Sequence, residues 1–317
     1  MSKQHIYRHS VVVVAAAIIS NVIIFVCKLI AALITRSSAM LAESIHSIVD
    51  IGNGTLVAYG IRQSNKPSDD RHPFGYGSEL YFWSLIVAIS IFGIGGGMSL
   101  YEGIRCLQNP TTLENPIISY IVIVIGIIIE GASLVIAVKH FNKAKGASSA
   151  YGFIRASKDP SLFTVVFEDT AAVIGLLTAF IGIFLSEMTG NLMFDGLASI
   201  CIGLLLMIVA FFLARESKDL LIGEGVDKAT LRHIQEIVTA HDDVEKVGQL
   251  RTLYLGPDNL IVAIDVKFTT GINEKMIDDE IGKIEIALKR EYPQIKHIFI
   301  EVASLADVQE KIHRRKK

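Results

Sequence analysis

The sequence is poor in cysteine, and its three cysteines, Cys27, Cys106 and Cys201, are widely spaced along 317 residues. No CxxC pair occurs, so the spacing supports neither a disulfide framework nor a zinc knuckle. Cysteines scattered in this way are typical of small buried hydrophobic residues. The formal net charge is -2, which gives no overall basic character, and we therefore expect no nucleic-acid partner.

Two signatures of hydrolases are missing as well. The sequence has neither an HExxH stretch, which would place two zinc-binding histidines on one helix face, nor a GxSxG nucleophile motif. A metal-dependent hydrolase needs a catalytic metal with three protein ligands and a base. We therefore expect a protein that is not an enzyme and that holds no cofactor.

Hydrophobic residues, in contrast, make up 51% of the chain, and the mean hydropathy is +0.48. Such a composition is typical of a membrane protein. A helix that crosses a bilayer needs roughly 20 mostly apolar residues. Six stretches satisfy this, at about 11–34, 38–62, 80–104, 116–139, 161–186 and 193–215. The first is too long for a signal-peptide core, so we interpret it as a retained membrane helix.

The composition of the sequence changes after Arg215, where charged residues with a helical periodicity replace the apolar runs. Two strand-like segments, GQLRTLYLG and NLIVAIDVKF, flank a turn at Gly256–Pro257–Asp258. An amphipathic helix and a last strand, IKHIFIEVAS, follow. The sequence therefore predicts an α-helical membrane protein: six transmembrane helices at 1–215, then a small α+β domain at 216–317 with the order helix, strand, strand, helix, strand.

Loop charges predict the orientation. Basic residues are concentrated before the first helix and around the loops after the second and fourth, whereas the opposite side carries only Arg36 and Arg105. The positive-inside rule then places both termini, and with them the α+β domain, in the cytoplasm. A bacterial inner membrane and an organelle membrane both fit. The ten basic residues are Lys3, Arg8, Arg62, Lys66, Arg71, Lys139, Lys143, Lys145, Arg155 and Lys158.

The stretch MLAESIHSIVDIGNG, from Met40 to Gly54, places titratable groups inside a predicted span. A charge near the bilayer centre costs at least about 2.5 kcal/mol on insertion scales, so such residues indicate a function. Glu43, His46 and Asp50 are separated by three and four residues, and these spacings share one helix face. His46 and Asp50 can direct an imidazole nitrogen and a carboxylate at one ion, which is half of a tetrahedral site.

A second helix must complete such a site, and the fifth span is the candidate. Its stretch SLFTVVFEDTAAVIGLL holds Glu168 and Asp169 in apolar surroundings. Adjacent helical residues point about 100° apart, so only one of the two can face the second helix squarely. We therefore predict a metal-ion site formed by His46, Asp50, Asp169 and Glu168. The alternative is that the membrane histidine is a hydrogen-bonded packing residue.

Other polar groups within the predicted spans are interpreted as structural. Asn21, Lys28, Glu130 and Asp195 are expected to neutralise one another across the bundle, although a single sequence cannot pair them. Glu43 lies near a helix start, where it is either an accessory metal ligand or a capping carboxylate.

The loop SDDRHPFGYG after the second span gathers Asp69, Asp70 and His72 on the predicted cytoplasmic side. Carboxylates beside an imidazole make Asp69 and His72 a candidate accessory metal site, where a hydrated ion could pause. The alternative is a polar turn with solvated charges.

Together these residues resemble the cation diffusion facilitator family, the zinc-transporter-type metal/proton antiporters, over nearly the whole chain. The family places an HxxxD or DxxxD pair on its second helix, which His46 and Asp50 match, and another on its fifth. Asp169 matches the acidic end of that second pair, but Val165 stands at the other position and cannot bind a metal. Glu168 is the neighbouring substitute. The stretch FEDTAAVIG resembles the branch of the ninth mammalian zinc transporter.

The resemblance implies a cytoplasmic domain of metallochaperone-like topology that forms a homodimer. Family loops have the form DDxHxFGHG, and here Tyr76 replaces the second histidine, which weakens a metal site at Asp69 and His72. In the C-terminal domain, Asp265 and Glu301 fall near the family's metal-binding positions with no histidine at either. We therefore expect no tight zinc cluster in that domain.

Metal binds to deprotonated ligands, and an imidazole with an ordinary pKa of about 6.5 exchanges protons near neutral pH. The resemblance therefore implies divalent metal efflux by Zn²⁺/H⁺ antiport with alternating access, with metal ions, protons and membrane lipid as partners. Imidazole and carboxylates also suit Mn²⁺, Fe²⁺ and Co²⁺, so the metal stays open. A different alternative is a metal-sensing membrane scaffold, which the lack of histidine clusters in the C-terminal domain disfavours.

Overall fold

The computed structural model describes residues 21–110, 112–145 and 158–302. Residues 11–20 of the first predicted span, and the basic residues Lys3, Arg8 and Arg155, lie outside this part of the chain. Long helices fill the first two thirds of it. They are α1 (Asn21–Thr35), α2 (Ser38–Ser64), α3 (Glu79–Gln108), α4 (Pro116–Lys145), α5 (Pro160–Thr189) and α6 (Met193–Ile222).

Four of these helices, α3 to α6, are long and apolar enough to cross a membrane. Over its described residues α1 is apolar but shorter. The helix α2 has 27 residues, about 40 Å of length, yet buried polar side chains such as Glu43, His46 and Asn53 lower its hydropathy. Four of the six predicted spans therefore meet the criteria of length and hydropathy.

The helix α6 continues beyond the end of the sixth predicted span. The apolar sequence predicts an end of that span at residue 215, but α6 runs to Ile222. The stretch ESKDLLI that follows Arg215 contains neither proline nor glycine, so nothing in it breaks a helix. Gly223 then ends α6: its φ is 107°, and its N–H donates to the carbonyls of Asp219 and Leu220. Charge therefore marks a change of surroundings here, while glycine marks the end of the helix.

The helices α3 and α6 pack with their backbones in contact. A Cβ atom on Gly103 would lie 2.7 Å from the carbonyl oxygen of Gly196. A Cβ atom on Gly203 would lie 2.7 Å from the amide nitrogen of Leu100. Small residues permit this approach, and close van der Waals packing is a main source of helix association in lipid. The two helices therefore form one tightly packed pair.

A side chain from α6 caps the start of α2. Asp195 accepts hydrogen bonds from the hydroxyl of Ser37, at 2.6 Å, and from the amides of Ser38 and Ala39. A carboxylate satisfies the free N–H groups of a helix N-terminus and interacts favourably with its dipole. The expectation that Asp195 would be neutralised by another charged group in the bundle is therefore corrected, because its described partners are a helix terminus and a serine.

The chain divides into two compact units, a helical unit and a C-terminal unit. The helical unit comprises the residues up to Ile61, Phe82–Ile154 and Pro160–Ser217. The C-terminal unit comprises Arg62–Tyr81, Arg155–Asp159 and the residues from Lys218 onward. The loop between α2 and α3 thus folds with the C-terminal residues.

The C-terminal unit is an α+β fold with one three-stranded sheet. The central strand β2 pairs with β1 in antiparallel and with β3 in parallel orientation. Alternate residues of β2 are buried in a core that includes Ile234 and Ile284 from the helices. The predicted order of helices and strands is confirmed. The elements are α7 (Lys228–Thr239), β1 (Val244–Gly256), β2 (Asn259–Phe268), α8 (Glu274–Glu291) and β3 (Ile295–Val302).

Replacing Asp195 with alanine is expected to lower the melting temperature of the detergent-solubilised protein. The change removes the acceptor for the N–H groups at the start of α2, and loss of a helix cap costs about 0.5–2 kcal/mol. Asp195→Asn keeps an acceptor oxygen and is the control, so its melting temperature should stay near that of the wild type. Equal losses in both variants, followed by intrinsic fluorescence, would contradict the capping role.

Candidate metal centre

Polar side chains from α1, α2, α4 and α5 enclose a cavity of about 210 Å³. Water takes up about 30 Å³ per molecule in the liquid, so this space can hold several waters or a hydrated ion. Each of the four helices contributes lining residues three or four positions apart, which is the spacing of one helix face. They are Asn21, Ile24, Ser47, Asp50, Gly54, Ile129, Glu130, Ser133, Val165, Glu168 and Asp169. The wall thus includes carboxylates from α2, α4 and α5.

The predicted His46–Asp50 pair is brought together on α2. The His46 Nδ1 atom lies 3.3 Å from Asp50 Oδ1, and the ring is almost fully buried. Of the two residues, Asp50 lines the cavity. Neither ring nitrogen of His46 forms a hydrogen bond with a described residue. Because buried polar atoms normally have a partner, this imidazole is suited to a ligand that supplies the missing interaction.

The acidic pair on α5 divides between two neighbouring helices. Glu168 accepts a hydrogen bond from the amide of Asn53 on α2, at 2.9 Å. Asp169 accepts one from the hydroxyl of Ser133 on α4, at 2.8 Å. Both carboxylates line the cavity. The difference of about 100° between adjacent helical residues explains why Glu168 reaches α2 while Asp169 reaches α4.

A buried ion pair joins α1 to α2. The Lys28 Nζ atom lies 3.2 Å from Glu43, 2.9 Å from the hydroxyl of Ser47 and 3.5 Å from Glu130. Gly175 on α5 leaves room for Glu43, because a Cβ atom there would lie 2.2 Å from Glu43 Oε1. The expected neutralisation within the bundle is thus found around Lys28. Glu43 as an accessory metal ligand stays a prediction, since its described contacts are with the lysine.

Glu130 on α4 is a carboxylate that was predicted to have a structural role and that lines the cavity, as Asn21 does. It contacts Lys28 and also lines the cavity, where Ser133 follows it by one turn. A signal was present in the sequence, because a carboxylate inside a membrane span is a candidate functional residue by default. The HxxxD pattern gave no reason to choose it, since Glu130 has no histidine or acidic residue one turn away.

The acidic side chains surround a space and do not meet at one point. Within residues 21–110, 112–145 and 158–302, no three histidine, cysteine, aspartate or glutamate side chains are grouped so that they could hold a metal ion. A concave site lined by carboxylates attracts cations through its negative potential. Direct coordination of a dehydrated ion requires these side chains to close around it.

The loop after α2 forms a turn held by Asp69. Its carboxylate accepts hydrogen bonds from the amides of Arg71 and His72 and from the hydroxyl of Tyr76, at 2.6 Å. The bond from Tyr76 is the main reason why the pKa of Asp69 lies below its ordinary value. His72 Nδ1 lies 3.4 Å from Asp69 Oδ1. Tyr76, which replaces the family histidine, thus donates a hydrogen bond to the Asp69 carboxylate. An accessory metal site at Asp69 and His72 stays a prediction.

In the C-terminal unit, Asp265 and Glu301 stand opposite each other on β2 and β3. Two histidines of this unit form hydrogen bonds elsewhere on its surface. The pairs are His233 with Tyr292, at 2.7 Å, and His241 with Glu280, at 2.6 Å. These contacts leave the two acidic residues without an imidazole from His233 or His241.

Known proteins resemble this chain over most of its length. A family model described as the cation efflux transmembrane domain matches residues 14–222. The mitochondrial proton-coupled zinc antiporter SLC30A9 of Xenopus laevis is 29% identical over 92% of this chain and 59% of its own length. Metal tolerance protein C4 of Arabidopsis thaliana is 31% identical over 82% of this chain and 58% of its own length. The chain therefore spans less than two thirds of either relative.

A bacterial relative has nearly the same length. The manganese efflux system protein MneP of Bacillus subtilis is 25% identical over 90% of this chain and 93% of its own length. The membrane-capable helices and these relatives together identify an integral membrane protein.

Replacing Val165 with histidine is expected to tighten Zn²⁺ binding about tenfold, or roughly 1.4 kcal/mol. Val165 lines the cavity one turn before Asp169, so the new imidazole would stand beside the existing carboxylates. Binding is measured by isothermal titration calorimetry in detergent. The control is Val165→Leu, which fills the same position without a ligand atom. Equal affinity in the two variants would show that this part of the wall does not reach the metal.

Proposed function

The chain belongs to the cation efflux family, and on that premise we propose that it exports a divalent metal cation, Zn²⁺, in exchange for protons. One observation carries this proposal: Asp50, Glu168 and Asp169 line a single cavity between the helices, with His46 beside Asp50. Carboxylates within membrane helices are expensive, and they are retained where an ion pathway needs them.

The proposed metal ligands are His46, Asp50, Glu168 and Asp169, and the metal is the transported substrate. Carboxylate oxygen and neutral imidazole nitrogen are ligands that Zn²⁺ accepts. Asn53 and Ser133 hydrogen-bond to the two carboxylates of α5 and so hold them at the cavity. Such outer partners orient metal ligands and tune their affinity.

Protons compete with the metal for the same side chains. Metal binds to the deprotonated groups, and its departure leaves them free to take up protons. Coupling then needs no separate proton path. The tightly packed pair α3–α6 offers a frame against which the helices of the cavity can rock, so that the cavity opens to one side of the membrane at a time.

Zn²⁺ is favoured over other divalent ions by the relatives named as zinc antiporters and by the imidazole of His46. The relative named for manganese efflux supports Mn²⁺ as the alternative, and Fe²⁺ fits the same ligand set. Three carboxylates beside one imidazole form a harder site than a pair of imidazoles would. Transport selectivity therefore has to be measured across a panel of metals.

The proposed topology has six spans, with both termini and the C-terminal unit in the cytoplasm. The described parts of α1 and α2 complete the count with the four longer apolar helices. We further propose that the C-terminal unit forms a homodimer. In support, β3 is an edge strand, and its side chains Phe299 and Val302 are 49% and 52% exposed.

Reconstitution into proteoliposomes that enclose a pH indicator tests the transport proposal. Zn²⁺ uptake should be accompanied by proton movement in the opposite direction, and Mn²⁺, Fe²⁺ and Co²⁺ should be carried more slowly. Asp50→Asn and Asp169→Asn should each abolish uptake, because each removes a charged ligand. The matched control is Glu187→Gln, since this carboxylate bonds to Tyr120 and is not among the described lining residues.

Three outcomes would contradict parts of this proposal. Zn²⁺ uptake with no change of internal pH would exclude proton exchange. Zn²⁺ binding by the purified protein without any uptake would exclude transport and favour the metal-sensing scaffold. Uptake by Asp169→Asn at the wild-type rate would remove α5 from the set of metal ligands.

A further inference from the structure

We propose that Lys28 is a built-in cation that competes with the transported metal for Glu130, and that Glu130 is a further metal-contacting residue of the cavity. This inference rests on the proposed function and adds two residues to its site. Glu130 would bind Lys28 when the cavity lacks metal and would turn to the metal when it is bound.

Two side chains face both the lysine and the cavity. Ser47 and Glu130 contact the Lys28 Nζ atom at 2.9 and 3.5 Å. The same two residues line the cavity together with Asp50. Among the described residues, neither Lys28 nor Glu43 belongs to its wall. A metal ion in the cavity and the ammonium group of Lys28 can therefore bind the same carboxylate, and each would weaken the interaction of the other with it.

The two carboxylates around Lys28 are held differently. Glu43 is fully buried, its Oε2 is 3.2 Å from Nζ, and its other oxygen fits against Gly175. Glu130 is farther away, at 3.5 Å, and its side chain is 15% exposed. Glu43 is therefore the fixed partner that keeps the buried lysine charged, while Glu130 is the partner that can change. A buried ammonium group needs at least one such fixed partner.

The position of Lys28 on α1 supports its role at the cavity. Asn21, Ile24 and Lys28 follow one another at spacings of three and four residues, which places them on one face of the helix. The first two line the cavity. Lys28 therefore lies on the same face of α1 as two residues that line the cavity.

A positive charge that shares a carboxylate with a bound metal weakens the binding of that metal. The attraction between the ammonium group of Lys28 and the Glu130 carboxylate is strong in a partly buried site, because screening by water is reduced there. Lys28 would thus lower the affinity for the metal and speed its release. A site of carboxylates alone would hold a divalent ion tightly, which favours capture but slows each transport cycle.

A cycle of three variants tests this inference, with Zn²⁺ affinity measured in lipid nanodiscs and uptake measured in proteoliposomes. Glu130→Gln should weaken Zn²⁺ binding about tenfold, in the range typical for residues around a metal site. The neutral pair Lys28→Met with Glu43→Gln should bind Zn²⁺ more tightly, by about fivefold or more, and should transport it more slowly. In the triple variant, Zn²⁺ affinity should equal that of Glu130→Gln alone, because the lysine acts through Glu130.

Additive effects in the triple variant would overturn the inference, as would affinities for Glu130→Gln and the neutral pair that both lie within twofold of the wild type. The matched control is Glu187→Gln, which removes a carboxylate from α5 outside the described wall of the cavity. Its Zn²⁺ affinity should equal that of the wild type.

A second measurement applies if the neutral pair does not fold. The rise in melting temperature caused by Zn²⁺ should shrink in Glu130→Gln and be restored in Glu130→Asp. A purely structural role for Glu130 would lower the melting temperature without metal and leave the Zn²⁺-dependent rise intact, and this result would also overturn the inference.

The failure of this inference is distinguishable from failure of the proposed function. If the protein does not transport metal, the wild type shows no Zn²⁺ uptake. If only the inference is wrong, the wild type takes up Zn²⁺ and Asp50→Asn does not, while Glu130→Gln and the neutral pair behave like the wild type.

Discussion

The ion pair between Lys28 and Glu43 is the contact on which the charge balance of the helical unit depends. Both side chains are fully buried between α1 and α2. Transfer of an unpaired charge into such surroundings is so unfavourable that neither residue could be kept alone. Asp50 on α2 and Glu168 and Asp169 on α5 line the cavity, while Glu130 on α4 contacts both the lysine and the cavity. The polar groups of these helices thus include some that neutralise one another and others that line the cavity.

Two kinds of helix contact coexist in the helical unit. The backbones of α3 and α6 touch through glycines, and the hydroxyl of Ser199 on α6 donates a hydrogen bond to the carbonyl oxygen of Ser99 on α3. The helices α1, α2, α4 and α5 instead enclose polar side chains and a space of about 210 Å³. Dry, close packing resists sliding, whereas a hydrated cavity has few apolar contacts to lose when it changes shape. The arrangement therefore separates a rigid pair of helices from a group that can adjust to an ion.

The order of helices and strands was predictable because each element carries its own periodic signal. Long apolar runs indicated the helices α3 to α6, and the apolar run rich in β-branched residues in NLIVAIDVKF indicated β2. Local chemistry also explains where prediction was incomplete. The end of α6 depends on Gly223 and not on the charges before it, and the cap of α2 comes from Asp195, which is distant in sequence.

The candidate site was predictable in part, since His46, Asp50, Glu168 and Asp169 belong to spacings with a chemical meaning. The division of Glu168 toward Asn53 and Asp169 toward Ser133 was not, because it depends on which helices are neighbours. For the same reason, the sequence predicted only a structural role for Glu130. A carboxylate without a partner at helical spacing acquires its role only from the side chains that the fold brings beside it, here Lys28.

The loop between α2 and α3 belongs to the C-terminal unit, although four long helices, α3 to α6, separate the loop from the C-terminal residues in sequence. Gly77 of this loop lies so close to the strand β1 that a Cβ atom would be 2.2 Å from the carbonyl oxygen of Leu255. A ribosome adds about 5–20 residues per second, so the loop is made well before the strand that it contacts. The contact between this loop and β1 can therefore form only after the residues of β1 have been synthesised.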